Sequence, residues 1–185
     1  MALEKYTTEA IVIHMFESGE SDILLKLYTR EFGMILAKAS SLRRSVKMRP
    51  HIQVGREVFV TLVKGKEIYR LAGVVERVKN NESNRQVSAA VVASLSKYIQ
   101  GEQKNAKLYD RMVSYIHIGD SEARAIRLAI HADILIMLGY LNIEDLGLEK
   151  QGYIQSDAIG FYIHVTLNKK SIVHNVAKAS EASML

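Results

Sequence analysis

A run of cations between residues 38 and 51 is the strongest chemical signal in this sequence. Its members are Lys38, Arg43, Arg44, Lys47 and Arg49, with His51 directly behind them. No acidic residue occurs between Glu31 and Glu57, so no neighbour in the sequence neutralises this charge. Such a run projects positive potential toward a polyanion, and arginine can also fork onto phosphate or stack on a base. The alternative interpretation is a solvated loop with scattered surface ion pairs.

Aromatic side chains on predicted strands could supply the second half of a site for single-stranded nucleic acid. Each base stacked on a ring contributes about 1–3 kcal/mol to binding. The candidates are Tyr28, Phe59 and Tyr69. The alternative for each is packing in the core.

A further set of cations lies later in the chain. Arg124, Arg127 and His131 are spaced by three and four residues, so they share one face of an otherwise apolar predicted helix. One interpretation is a solvent-facing surface. The other is a cationic rim beside an apolar groove, which would suit a peptide ending in acidic residues.

Residue types that perform covalent or metal chemistry are sparse. The chain has no cysteine. Gly19-Glu20-Ser21-Asp22 brings two carboxylates close together, with His14 on the preceding strand, but no further ligand is evident nearby, and the run is typical of a turn. Glycine-rich phosphate loops, His-Glu-x-x-His patterns and nucleophile elbows are also missing from the sequence. We therefore expect no enzymatic activity, no metal site and no cofactor.

The elements that must position these residues change character along the chain. The first eighty residues favour five strands, near Thr8–His14, Ile23–Thr29, Met34–Ala39, Glu57–Val63 and Glu67–Val78. In the fourth of them, Val58, Val60 and Leu62 share one face. Five strands ending in a hairpin suit the oligonucleotide-binding (OB) barrel, and an SH3-like barrel is the alternative that strand counting leaves open.

Helical spacing follows the polar stretch 79–84. Three helices are predicted: one through Val87–Ile99, one through Leu108–Ile116 ended by Gly119, and one capped by Asp120 or Ser121 that runs to Leu138. Beyond them, Gly160–Leu167 is predicted as a strand and Lys170–Ser180 as a terminal helix. The predicted fold class is α+β, with a five-stranded OB barrel in residues 1–79 and a helical domain with a short β/helix C-terminal segment in residues 80–185.

The charge balance differs between these two parts. Residues 1–79 carry 14 Lys and Arg against 9 Asp and Glu, whereas residues 80–185 carry 11 of each, so the whole surplus of +5 lies in the first part. This asymmetry is a weak signal for nucleic-acid binding.

The apolar window 123–138 contains four ionisable residues and is too short to cross about 30 Å of hydrocarbon. We expect a buried helix there, no membrane association, and a cytoplasmic protein without a secretory signal.

The N-terminal motifs resemble a known family. Thr8-Glu9-Ala10-Ile11-Val12-Ile13, Gly19-Glu20-Ser21-Asp22, Thr29-Arg30-Glu31-Phe32-Gly33 and Ala37-Lys38, followed by the basic loop, resemble the N-terminal domain of the RecO family of bacterial recombination mediators. The resemblance covers residues 6 to about 80, and Leu138-Gly139-Tyr140 looks like the end of the family's central helical region. It implies an OB domain followed by a helical domain.

The same resemblance implies a function in DNA repair. Members of the family bind single- and double-stranded DNA and anneal complementary strands. They work with RecR and the single-stranded DNA-binding protein in loading the recombinase RecA, which would place this protein at the nucleoid. Many members carry a four-cysteine zinc module that this chain lacks, so it is similar to a zinc-free or shortened member. Its last forty residues match nothing in the family pattern.

Two function classes remain open from sequence. The first is a DNA-binding mediator that coats and anneals single strands through the barrel and its basic loop. The second is a non-enzymatic adaptor between proteins, whose basic barrel loop meets an acidic partner. Strand annealing is expected of the first and not of the second.

Overall fold

The computed structural model describes residues 4–18, 20–40, 48–76, 85–118, 123–149, 152–153 and 156–183. The chain forms two compact units. The first combines Met1–Asn81 with Ile99–Tyr109, and the second combines Glu82–Tyr98 with Asp110–Leu185. The packing of Ile99–Tyr109 with the N-terminal strands is not evident from the sequence pattern.

The first unit is built on a closed barrel. Its strands are β1 (Lys5–Ser18), β2 (Asp22–Thr29), β3 (Gly33–Ala39), β4 (Glu57–Lys64) and β5 (Tyr69–Glu76). They close in the order β1-β2-β3-β5-β4. Neighbouring strands are antiparallel except β3 and β5, which are parallel. This five-stranded barrel confirms the predicted OB fold.

Alternation along β4 places its side chains as the sequence pattern predicts. Val58, Val60 and Leu62 are at most 1% exposed and point into the barrel, whereas Phe59 between them is 43% exposed. Apolar side chains from the other four strands complete the interior, among them Leu25, Leu27, Ile35 and Tyr69. Burial of these aliphatic side chains is the main favourable free energy of the barrel.

One extra residue interrupts the alternation of β1. Val12 pairs with Leu27 of β2, but His14 pairs with Lys26, so Ile13 is inserted as a β-bulge. Before the bulge the even-numbered Val12 faces the barrel interior; after it, the odd-numbered Met15 packs against the interior cluster. Phe16 therefore faces outward and is 44% exposed.

Residues Ile99–Asn105, here called the strap, lie on the outer surface of the barrel. The Met34 backbone N–H donates to the Gly101 carbonyl oxygen at 3.1 Å. The Tyr28 hydroxyl contacts the Asn105 carbonyl oxygen at 3.4 Å, and Lys104 forms an ion pair with Glu31. Gly33 has a φ of +74°, and a Cβ built there would lie 2.4 Å from the Gln103 carbonyl oxygen. A side chain at residue 33 would thus meet the backbone of the strap.

The second unit is helical. Its α-helices are α1 (Arg85–Tyr98), α2 (Ala106–His117, whose first turn belongs to the first unit), α3 (Ala123–Met137), α4 (Ala158–Leu167) and α5 (Lys169–Ala182). Helices α1, α4 and α5 pack against α3. The predicted helical domain is confirmed, and α3 ends at Gly139 with a φ of +81°. Gly119 and the proposed caps Asp120 and Ser121 lie outside the described residues.

The predicted strand Gly160–Leu167 is wrong, because this segment forms the helix α4. Ala158, Phe161 and Val165 are buried at helical spacing, and the Asp157 carboxylate caps the helix by accepting from the Gly160 backbone N–H at 2.7 Å. The segment is rich in aromatic and β-branched residues, which suggested a strand. Packing of one helical face outweighed that weak preference. The terminal helix is confirmed and spans Lys169–Ala182.

A buried carboxylate joins the elements of the helical unit. Asp133 on α3 is 0% exposed and accepts from Arg111 Nε at 2.6 Å, from the Tyr115 hydroxyl at 2.8 Å and from the Tyr153 hydroxyl. The Arg111 guanidinium also donates to the Ser156 carbonyl oxygen. These bonds compensate the desolvation of both charges and connect α2, α3 and the segment before α4. No helix in the described part of the chain is long and apolar enough to cross a membrane.

We expect Gly33→Ala to destabilise the barrel by about 2–5 kcal/mol, through the cost of a left-handed backbone and the clash with the strap. Gly101→Ala is the matched control, because Gly101 also has a positive φ, of +75°, but has open space around its Cβ position. It should cost about 1–2 kcal/mol. Urea unfolding followed by circular dichroism measures both. Equal losses would contradict the contact between Gly33 and the strap.

Asp133→Asn should destabilise the helical unit by about 3–5 kcal/mol, because it leaves the buried Arg111 guanidinium without its counter-charge. Tyr153→Phe keeps both charges and removes one hydrogen bond, so it should cost about 1–2 kcal/mol. Chemical denaturation of the two variants tests this order. If Asp133→Asn were no more costly than Tyr153→Phe, charge compensation would not be what holds the network.

Candidate nucleic-acid interface

The cations predicted to bind phosphate fall at and beyond the end of β3. Lys38 lies on the outer surface of β3, with its side chain 41% exposed and its Nζ 3.0 Å from Asp22 Oδ2. The backbone of Arg49 begins a 3₁₀ turn, Arg49–His51. The Arg49 side chain and all of Arg43, Arg44 and Lys47 lie outside what the structure describes. The phosphate-binding role of these four cations stays a prediction.

The three aromatic candidates occupy different environments. Tyr28 is 0% exposed, with its ring centroid 6.0 Å from that of Tyr109, and Tyr69 is 7% exposed inside the barrel. Neither ring offers a face on which a base could stack, so the structure corrects these two candidates in favour of core packing. Phe59 is exposed on β4, where its strand neighbours are Glu9 and Val75.

The cations on α3 do not form a uniform rim. Arg127 is exposed, whereas the His131 ring is half-buried and meets the Tyr98 ring edge-on at 5.9 Å. Burial, together with the positive charges of Lys97 and Arg127, lowers the pKa of His131. His131 is therefore a packed side chain that favours its neutral form. The Arg124 side chain is outside the described part, so a partner-binding role for this set stays a prediction.

An open groove of about 650 Å³ lies on the outer surface of the barrel, and none of the three aromatic candidates lines it. Its lining residues are Phe16, Leu24, Lys26, Met34, Leu36 and Gly101, and we call it the outer groove. The first five come from β1, β2 and β3, and Gly101 comes from the strap. The face of β2 and β3 is where OB folds bind oligonucleotides and oligosaccharides.

Strand register arranges the outer groove in two rows. Phe16, Leu24 and Lys38 are successive partners across β1, β2 and β3, and the next row is His14, Lys26 and Leu36. Side chains directly opposite one another on one sheet face have Cβ atoms about 4.5–5.5 Å apart. Each row therefore places apolar surface directly beside a lysine.

The aromatic end of the outer groove is formed by two rings. The centroids of His14 and Phe16 are 4.2 Å apart, with the ring planes inclined at 49°. Phe16 is 44% exposed and Leu36 is 38% exposed. Phe16 was not a candidate from sequence, because the first strand was predicted to end near His14, whereas β1 continues to Ser18. Strict alternation from Val12 would also place Phe16 in the interior. The missed signal is the spacing of Val12 and Met15: both face the interior but lie three residues apart, whereas strict alternation would separate them by an even number of residues.

Glu20 and Asp22, at the turn between β1 and β2, do not belong to a metal site among the described residues. In the described ranges, no three His, Asp or Glu side chains converge in a way that could hold a metal ion. Asp22 instead pairs with Lys38 at the edge of the outer groove. Asp22, the first residue of β2, thus orients a cation, which the sequence pattern did not indicate.

Tyr28→Phe should leave DNA affinity at neutral pH unchanged, since the ring is buried. Burial raises the pKa of the Tyr28 phenol, so above pH 10 the unfolded chain releases this proton before the folded chain does. Stability then falls as pH rises, by up to about 1.4 kcal/mol per pH unit for one tyrosine. Urea unfolding at pH 9, 10 and 11 should show a shallower loss in the variant. An identical slope, or weakened DNA binding, would contradict the buried position.

Comparison with known proteins supports a family assignment. Residues 1–81 match the family model described as the N-terminal domain of recombination protein O. The DNA repair protein RecO of Dehalococcoides mccartyi is 27% identical over 126 residues, which make up 65% of this chain and 50% of that protein. The chain thus spans about half the length of the curated relative it matches. The resemblance seen in the sequence is confirmed, and residues 1–81 belong to the RecO N-terminal domain family.

Proposed function

We propose that this protein is a non-enzymatic recombination mediator in DNA repair, which binds and anneals single-stranded DNA. The observation that carries the proposal is the OB barrel whose outer groove adjoins the start of the cation run. Lys38 stands at the groove edge, and the sequence continues through Arg43, Arg44, Lys47 and Arg49 with no carboxylate until Glu57. The family match, and a relative named for DNA repair, point the same way.

The chemistry of the barrel supports backbone binding with little sequence preference. Lysine and arginine side chains contact phosphates, which are identical at every nucleotide, and such contacts position a strand without reading its bases. Lys26 adds a cation within the outer groove, and no carboxylate of the described residues forms an ion pair with it. Affinity should therefore depend strongly on salt for any sequence of bases.

The proposal extends to partners and to location. RecR and the single-stranded DNA-binding protein are the proposed partners, and the proposed outcome is loading of RecA onto coated DNA. Double-stranded DNA is a second proposed ligand, bound through the same cations. The proposed site of action is the bacterial cytoplasm, at the nucleoid.

The cation run has a direct test. Replacing Arg43, Arg44 and Lys47 together with alanine should weaken binding to all single-stranded sequences. The slope of log K against log salt should become less negative by about 2, at roughly 0.7 for each lost phosphate contact. Fluorescence anisotropy over a salt series measures this.

The matched control removes three cations from helix α5 instead, as Lys169→Ala, Lys170→Ala and Lys178→Ala. It changes the net charge equally and should keep the wild-type slope. Unchanged low-salt affinity of the Arg43/Arg44/Lys47 variant would contradict the assignment. Failure of the wild-type protein to anneal complementary oligonucleotides, beside a saturable complex with an acidic protein, would favour the adaptor.

A further inference from the structure

We propose that the outer groove is a subsite for unpaired nucleobases, with Phe16 as the stacking side chain and Lys26 and Lys38 placed for the flanking phosphates. This inference rests on the proposed function and deepens it: it names the chemical feature that distinguishes single strands from duplex. Nothing in the cation run makes that distinction, because both forms of DNA carry phosphates.

The floor of the outer groove suits a nucleobase and does not suit a phosphate, because its side chains are apolar. Leu24, Met34 and Leu36 line the floor with apolar atoms, and Phe16 stands beside them with nearly half of its surface exposed. A nucleobase has apolar faces and a polar edge, so its faces gain from contact with such a floor. A phosphate placed there would lose its hydration without a donor to replace it.

Charge complementarity indicates which kind of ligand with apolar surface the outer groove would bind. The partner of Leu24 on β3 is Lys38, and the partner of Leu36 on β2 is Lys26. Each apolar position is thus flanked by a cation at the distance of a neighbouring strand, about 5 Å. Alternation of apolar and anionic groups at short spacing is a property of a single nucleic-acid strand, in which each base is attached to the phosphate backbone.

The paired rings on β1 set the orientation of the bound base. The His14 ring packs against one side of Phe16, with 4.2 Å between centroids. This contact restricts the Phe16 side chain and lowers the entropy lost when a base stacks on it. In duplex DNA the base faces are already stacked on their neighbours, so Phe16 has nothing to bind there. The subsite consequently favours unpaired strands.

The strap bounds the outer groove at its other end. Gly101 lines the groove, and its carbonyl oxygen accepts from the Met34 N–H at the start of β3. A strand entering from the Lys38 end would therefore place its bases between Phe16 and the strap.

The test compares two single strands that differ only in their bases. The probes are an oligothymidylate and an abasic oligonucleotide of equal length and charge, measured by anisotropy at fixed salt. The wild-type protein should bind the oligothymidylate more tightly. Phe16→Ala should lower that affinity by about 5- to 150-fold, the range for one lost stacked base, and leave the abasic strand and duplex DNA unaffected.

Tyr140→Ala is the matched control. Tyr140 is an aromatic residue with 50% exposure, against 44% for Phe16, but it lies in the helical unit and does not line the outer groove. This control should bind all three probes as the wild type does. Leu36→Glu is the second groove variant: it adds a carboxylate at a 38% exposed site and should weaken oligothymidylate binding beyond its effect on duplex.

The outcomes separate this inference from the proposed function. If the wild-type protein bound no oligonucleotide, the proposed function would fail and the subsite with it. If the wild-type protein bound the abasic strand as tightly as the oligothymidylate, the subsite would be overturned while DNA binding stood. An equal loss from Tyr140→Ala would also overturn it, since binding would then not depend on the groove. Circular dichroism of each variant confirms the fold.

Discussion

The inserted residue in β1 is the constraint on which the outer surface of the barrel depends. Because side chains alternate with a period of two, one extra residue transfers every later side chain of the strand to the opposite face. Ile13 provides that change between Val12 and His14. As a result, both halves of β1 place side chains in the barrel interior, and Phe16 is nevertheless exposed to solvent. Without the bulge, the outer groove would lose its aromatic end and the interior would receive a further large ring.

The strap divides the remaining outer surface into covered and open parts. Over Tyr28 and Gly33 it excludes solvent, and the Tyr28 ring becomes a structural contact. Beyond Gly101 the surface of β2 and β3 is open and forms the outer groove. The same two strands thus provide both a packing surface and an accessible one. Gly33 is necessary for this arrangement, since backbone approaches backbone there more closely than a Cβ permits.

The barrel could be predicted from the sequence because each of its strands and turns is specified by residues that are close together in the chain. Alternation in β4, the hairpin after it and the glycine-bounded early strands each specify one element. Taken together, these elements are compatible with few folds. The strand predicted at Gly160–Leu167 failed for the opposite reason. Its composition favours a strand weakly, but burial of Phe161 and Val165 on one helical face depends on other helices that sequence alone does not position.

The candidate site was predictable only in part, for reasons of the same kind. The cation run could be identified from the sequence because the charge of a side chain follows directly from its residue type. The aromatic half depends on facts that arise after folding: a bulge that turns Phe16 outward and a strap that covers Tyr28. Both Tyr28 and Phe16 are aromatic residues on early strands, and only the tertiary structure shows which ring is accessible. Inference from residue type alone therefore selected the buried ring.

The Asp22–Lys38 pair shows how the two halves of the site meet. Both side chains are partly exposed, so the pair contributes little to stability, about 0–1 kcal/mol. Its consequence is positional: it holds an ammonium group beside Leu24, at the end of the outer groove from which the cation run continues. A phosphate that binds there would compete with Asp22, a partly exposed carboxylate whose hold on Lys38 is weak. The cation is thus fixed in place, yet it remains available to a ligand of higher charge density.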